Sequence, residues 1–200
     1  MKAAFCFCLG VLLASPTWAD DRSDVTAVLR KTYPQERVDN VRTADGWALA
    51  TVEGDDWGGM ALLHRFDGAW KIVSSGGGAM GPGELFQVGV PRALWSRLLE
   101  YEFQVPEDFG KEPEWTWMTG KKRLEDEDLS GYSAWQLTLM VNEIFAVHGR
   151  PFKDPELRAY FASRSWYRPR QNFSDSSLSQ LERANAQFIR GYMKRKGLEL

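Results

Sequence analysis

The chain has 200 residues, 44% hydrophobic and 26% charged, with a formal net charge of -2. This composition favours a folded globular protein of one or two domains over a disordered or fibrous chain. After the first 20 residues no apolar run reaches the roughly 20 positions that a membrane-spanning helix needs, so an integral membrane protein is excluded.

Residues 1–19 read as a secretory signal peptide. Lys2 gives the positive start, Ala3 to Ala14 the apolar stretch, and Thr17-Trp18-Ala19 places small residues at the two positions that signal peptidase inspects. The other reading is an uncleaved membrane anchor, against which the shortness of the apolar stretch argues. Both cysteines, Cys6 and Cys8, fall inside this segment and neither follows a small-residue cleavage site, which argues against lipid modification. Cleavage would leave no cysteine, and disulfides, thiol nucleophiles and Cys-based metal sites drop out together. The expected location is periplasmic or secreted.

Residues 20–101 read as a small α+β domain. A helix is expected with Ser23 as N-cap and Val25, Val28, Leu29 and Tyr33 on one face, stopped by Pro34. Three strands follow, Trp47 to Glu53, Gly59 to Phe66 and Ala69 to Ser75. Asp45-Gly46 and Asp67-Gly68 are tight-hairpin pairs, which makes the sheet an antiparallel meander. Met60, Leu62, His64 and Phe66 share one side of the middle strand, and Ala61, Leu63 and Arg65 the other. The N-terminal helix is the expected cover of the strongly apolar side. His64 then sits among apolar neighbours, where a hydrogen-bonded structural histidine is commoner than a base or ligand.

Gly76-Gly77-Gly78, Gly81 and Gly83 form a glycine-rich loop without the Lys-Ser/Thr ending of a phosphate loop, which favours a tight connection or close backbone approach. A second helix is expected from Pro91 through Leu99. Residues 102–128 read as an acidic, proline-containing linker. Within it Glu125 to Asp128 lack the spacing of a calcium loop and read as a solvated charge run. Trp115 and Trp117 either pin this linker to a domain or stand exposed for contact.

Residues 129–200 read as all-α, three helices around one core. Ser133 and Gln136 have capping-box spacing at the start of a long helix that presents Leu137, Val141, Ile144 and His148 on one face and ends at Gly149. Asp154 N-caps the next helix with Pro155 in its first turn, and a last helix runs from about Asp175 to Lys196. Asn142 and Asn185, on or near apolar faces, are expected to satisfy each other or backbone groups.

Several runs in this third of the chain are distinctive: Ser133-Ala134-Trp135-Gln136-Leu137, Asn142-Glu143-Ile144-Phe145-Ala146-Val147-His148-Gly149, Asp154-Pro155-Glu156-Leu157, Tyr160-Phe161, Trp166-Tyr167, and then Leu181-Glu182 and Asn185. From about Leu129 to Ile189 the sequence resembles the YARHG domain family, an exported bacterial module of about 70 to 80 residues whose molecular function is unsettled. The family motif falls here on Asn142, Phe145, Ala146, His148 and Gly149. Relatives usually carry arginine where this chain has Val141 and Val147, so any contact those arginines make is absent here.

Charge is uneven. Residues 20–149 carry 13 Lys and Arg against 22 Asp and Glu, net -9, and residues 150–200 carry 11 against 5, net +6. Either the basic end meets an anionic partner or it docks on the acidic remainder of its own chain. The candidate binding patch is Arg158, Arg164, Trp166, Tyr167, Arg168 and Arg170, guanidinium groups and flat rings suited to sugars and anionic polymers. The alternative is that the two rings are core and the arginines solvate it.

No catalytic set is evident. There is no Gly-x-Ser-x-Gly elbow and no His-Glu-x-x-His motif, the two histidines lie in separate halves, and no cofactor or metal is implied. The expected function is a non-catalytic envelope module that binds cell-wall polymer or an envelope protein, with no nucleic-acid partner. The alternative is a secreted inhibitor or immunity-type protein acting on an envelope hydrolase. A carboxylate-based hydrolase ranks below both, because paired acids leave no local signature.

Overall fold

The computed structural model describes residues 18–102 and 109–200. Most of the expected signal peptide and part of the expected linker, residues 103–108, therefore lie outside the described residues. No helix among the described residues is long and apolar enough to cross a membrane.

The chain opens with α1 (Trp18–Thr32) and continues into an antiparallel sheet of β1 (Arg37–Ala44), β2 (Trp47–Glu53), β3 (Gly58–Phe66) and β4 (Ala69–Gly77), ordered as in sequence. Both Asp-Gly hairpins form as expected. Asp45 and Gly46 have φ of 44° and 79°, and Asp67 and Gly68 of 46° and 85°, the pair of positive values that a tight two-residue turn requires. The run of glycines after Ser75 extends β4, where Gly59 comes so close to Gly76 that a Cβ on Gly59 would stand 2.2 Å from its carbonyl oxygen.

The sheet differs from the sequence reading in two ways. It has a fourth strand, β1, whose polar residues and irregular pairing between Asp39 and Arg42 conceal the alternation expected of a strand. The helix α1 also covers the opposite face from the one expected. Val25 and Leu29 pack on Ala48, Ala50, Ala61, Leu63 and Trp70. Three alanines on this face let a helix approach closely, and Asp21 pairs with Arg65 at its edge. The bulkier face, with Trp47, Leu49, Leu62 and Val73, is taken by helices that follow the sheet.

After the sheet come α2 (Pro82–Val88), which the glycines around it hid from sequence reading, a 3-10 turn (Arg92–Leu94) and α3 (Trp95–Leu99). Two short helices, α4 (Thr116–Thr119) and α5 (Asp126–Leu129), follow, and then α6 (Ala134–Ala146), α7 (Pro155–Ala162), a second 3-10 turn (Asp175–Ser177) and α8 (Gln180–Lys196). Ser133 caps α6 with its hydroxyl 3.2 Å from Gln136 N, and Asp154 caps α7 at 2.9 Å from Leu157 N, both as expected. The last α-helix begins later than expected, because Ser179 and Glu182 form their own capping box while Asp175 starts only the 3-10 turn.

The halves pack together, a question the sequence left open. One apolar cluster contains Leu49, Leu62 and Val73 of the sheet, Leu85 and Val88 of α2, and Trp135, Leu139 and Ile144 of α6. Trp135 donates its indole N-H to Val88 O at 2.9 Å, and Tyr160 its hydroxyl to Gln87 O at 3.1 Å. The second segment is stitched to the first by hydrogen bonds as well as by burial.

Candidate functional site

The motif residues build the end of α6. Phe145 and Ala146 are buried in the core, and Asn142 turns back to donate to Thr138 O at 2.8 Å within its own helix. Gly149 has φ of 86° and bonds to Ala146 O at 2.9 Å, so it terminates the helix in the left-handed conformation expected of it. A Cβ there would stand 2.7 Å from Arg170 Cγ and 2.8 Å from Arg168 O. Gly149→Ala should therefore destabilise the protein by on the order of 1–3 kcal/mol, from the positive φ and the backbone clash together, read as a lower urea midpoint at unchanged slope.

The two histidines occupy matched settings. His64 Nδ1 lies 2.9 Å from Gly46 O and Nε2 3.1 Å from Glu156, with its ring stacked 4.0 Å from Trp47. It joins the sheet to α7. His148 Nε2 lies 2.9 Å from Glu182 and joins α6 to α8. Burial alone would raise the Glu182 carboxyl, but contact with His148 and hydrogen bonds from Ser179 outweigh it and hold the group below the usual range.

A polar cluster that the sequence did not announce lies beneath these helices. Glu143 is fully buried on α6, and its carboxylate accepts from Glu114 N at 2.7 Å and Trp115 N at 2.6 Å. Burial pushes its pKa up to about 7 against those two hydrogen bonds. Glu114 is raised as well, by burial, with Arg164 acting the other way. The segment read as linker is thus held down where it is described. Trp115 is buried while Trp117 is 63% exposed, so the two tryptophans divide between the alternatives. Asn185 clamps the same segment from α8, accepting from Leu124 N at 3.1 Å and donating to Thr119 O at 2.8 Å and Lys122 O at 2.7 Å. Its backbone partners are the satisfaction expected of it.

The acidic run engages its own chain. Asp128 pairs with Lys122 and caps α5 through Glu125 N at 3.0 Å, and Asp126 pairs with Arg195 of α8 at 2.6 Å. Part of the charge asymmetry is therefore consumed internally.

The six patch residues separate. Arg164 is only 3% exposed and turns inward, donating to Phe86 O at 2.6 Å, with its guanidinium carbon 3.7 Å from the Phe86 ring centroid and 4.0 Å from that of Tyr160. Burial lowers its pKa, and the negative groups Glu114 and Glu143 oppose the shift. Trp166 and Tyr167 are half-buried against the core, with Tyr167 donating to Arg150 O at 2.6 Å. Arg158, Arg168 and Arg170 are exposed, and Arg168 donates to Ser165 O at 2.6 Å. The structure thus places three arginines on the surface and one in the core.

Sequence reading did not single out Glu143, Glu114, Arg150 or Arg190. A glutamate between Val141 and Ile144 in a helix with no other charged residue was the available signal for the first, since such a position demands a partner. Among the described residues these internal pairings leave no histidine side chain without a protein partner.

No curated protein and no solved structure matches the chain. The match to protein families begins at Glu114, the residue whose backbone Glu143 holds, and so takes in the buried Trp115 as well as α6 to α8. Residues 114–194, the C-terminal part of the chain, match the YARHG domain.

Proposed function

We propose that this protein is an exported, non-catalytic envelope module whose YARHG domain binds cell-wall polymer or an envelope protein. The observation that carries this reading is the YARHG match over residues 114–194 in a chain that begins with a signal-peptide-like segment. The burial of Glu143 and the engagement of both its oxygens by backbone N-H groups support a structural rather than a catalytic carboxylate. The His64–Glu156 and His148–Glu182 pairs join secondary-structure elements in the same way. The binding surface is assigned to the exposed arginines Arg158, Arg168 and Arg170, with Trp166 and Tyr167 as partly exposed rings beside them in sequence.

Co-sedimentation of residues 20–200 with insoluble peptidoglycan across a salt series tests the reading. Wild-type protein should pellet at low salt and be released as salt rises, and the triple variant Arg158→Ala, Arg168→Ala, Arg170→Ala should stay in the supernatant. Arg164 is left intact in this variant because its loss would disturb the core. Absence of pelleting at every salt concentration would overturn wall binding. An equimolar complex with one envelope hydrolase would then favour the inhibitor or immunity-type reading.

A further inference from the structure

The turn at Gly149 does more than end α6. It folds the chain so that Arg150 N bonds back to Phe145 O at 3.2 Å, and the Arg150 guanidinium carbon comes to lie 4.8 Å from the centroid of the Phe145 ring. From α8, next to the buried Ile189, Arg190 reaches the same ring at 5.2 Å. Two guanidinium groups from different helical segments therefore converge on one aromatic side chain.

Neither arginine forms a salt bridge among the described residues, although the chain carries more acids than bases. Partial burial and then the charge of Arg150 push Arg190 below its ordinary range, while Asp175 acts in the opposite direction. Two like charges with only Asp175 to offset them are costly in the folded protein, and a ligand of one negative charge supplies the balance. Beside them a cavity of about 330 Å³ opens, lined by Arg150, Pro151, Gln171, Phe173 and Asp175. It offers a guanidinium, an amide, an aromatic ring and the Asp175 carboxylate, a mixture that suits the hydroxyls and single acid group of an acidic sugar.

The geometry points to Arg150 and Arg190 as a binding site for a single oxyanion, a carboxylate or phosphodiester borne by an envelope polymer, with the adjoining cavity receiving the group that carries it. Asp175 offsets one of the two charges, so the site favours a monoanion over a polyanion. Guanidinium forks match the two oxygens of such a group. This inference rests on the proposal that the YARHG domain is the binding part of the protein, and it adds to the surface of Arg158, Arg168 and Arg170 a specific contact at a different pair.

The test is titration of residues 20–200 with N-acetylmuramate, with dimethyl phosphate, and with N-acetylglucosamine as the neutral control, following the arginine Nε-H resonances by NMR. Saturable shifts of Arg150 and Arg190 are expected with at least one anion and not with the neutral sugar, and which anion acts separates a carboxylate source from a phosphodiester source. Arg150→Gln and Arg190→Gln should each weaken binding at least tenfold, and Arg30→Gln, which removes the same charge from the exposed surface of α1, should leave it unchanged. The wild-type resonances report the site even where a variant folds poorly. No shift with either anion, or equal weakening by Arg30→Gln, overturns the site. Saturable shifts without pelleting on peptidoglycan would sustain the oxyanion site and remove the wall reading, whereas pelleting without shifts would do the reverse.

Discussion

Arg164→Met should lower stability by about 3–5 kcal/mol, seen in urea denaturation as a large fall in midpoint at unchanged slope. Methionine keeps much of the arginine's length and apolar contact with Phe86 and Tyr160, so the loss isolates the charge and its hydrogen bond to Phe86 O. Removing the cation leaves Glu114 and Glu143 without the positive group that opposes their burial. Adding Glu114→Gln to Arg164→Met should recover part of the loss, because one of the acids left without a cation is neutralised. Arg168→Ala should stay within about 0.5 kcal/mol of wild type, as expected of an exposed side chain. If Arg164→Met proved as harmless as Arg168→Ala, the guanidinium would have to be solvated, and the original six-residue patch would regain its central member.

That contrast also shows which features a single sequence discloses. Capping at Ser133 and Asp154 and the turns at Asp45-Gly46 and Asp67-Gly68 were legible, because each depends on residues within three or four positions of one another. The α+β order and the YARHG resemblance were legible for the same reason, being carried by local runs. The strand β1 was not, since its partner β2 supplies the regularity that its own residues lack. Nor was the choice of face for α1, which turns on Ala48 and Ala50 in β2 lying beside Ala61 in β3.

The candidate site divides along the same line. Gly149 as a helix terminator could be read from its place after His148, but the direction of Arg164 depends on Phe86, far away in sequence. Arg158, Arg164, Arg168 and Arg170 look alike in a string of letters, and only packing distinguishes the one whose charge is internal. The convergence of Arg150 and Arg190 is likewise a property of how α8 lies against α6, not of any motif. Segment 109–128 looked like linker because its charges were visible and its anchors, Glu143 and Asn185, were elsewhere.

Glu143 gives the second large effect and the clearest pH signature. Glu143→Ala removes the acceptor for two backbone N-H groups, and leaving them unsatisfied should cost about 2–4 kcal/mol. Hydrogen exchange at Glu114 and Trp115 should accelerate in the same variant, since those amides lose their partner. The pH dependence follows from a folded pKa raised from 4.5 to about 7. Below 4.5 folded and unfolded chains both hold the proton. Between 4.5 and about 7 the unfolded chain releases it while the folded chain keeps it, so the contribution of Glu143 to stability declines as pH rises and levels off above that window. Glu143→Gln cannot titrate there, and the other shifted carboxyls, Glu114, Asp128 and Glu182, remain in both proteins. The melting temperature of wild type minus that of Glu143→Gln should therefore shrink from pH 4.5 to 7. A difference that instead grew with pH would mean that two charge-assisted hydrogen bonds and nearby Arg164 outweigh burial, and that the ionised carboxylate is the form that fastens residues 114 and 115 to α6.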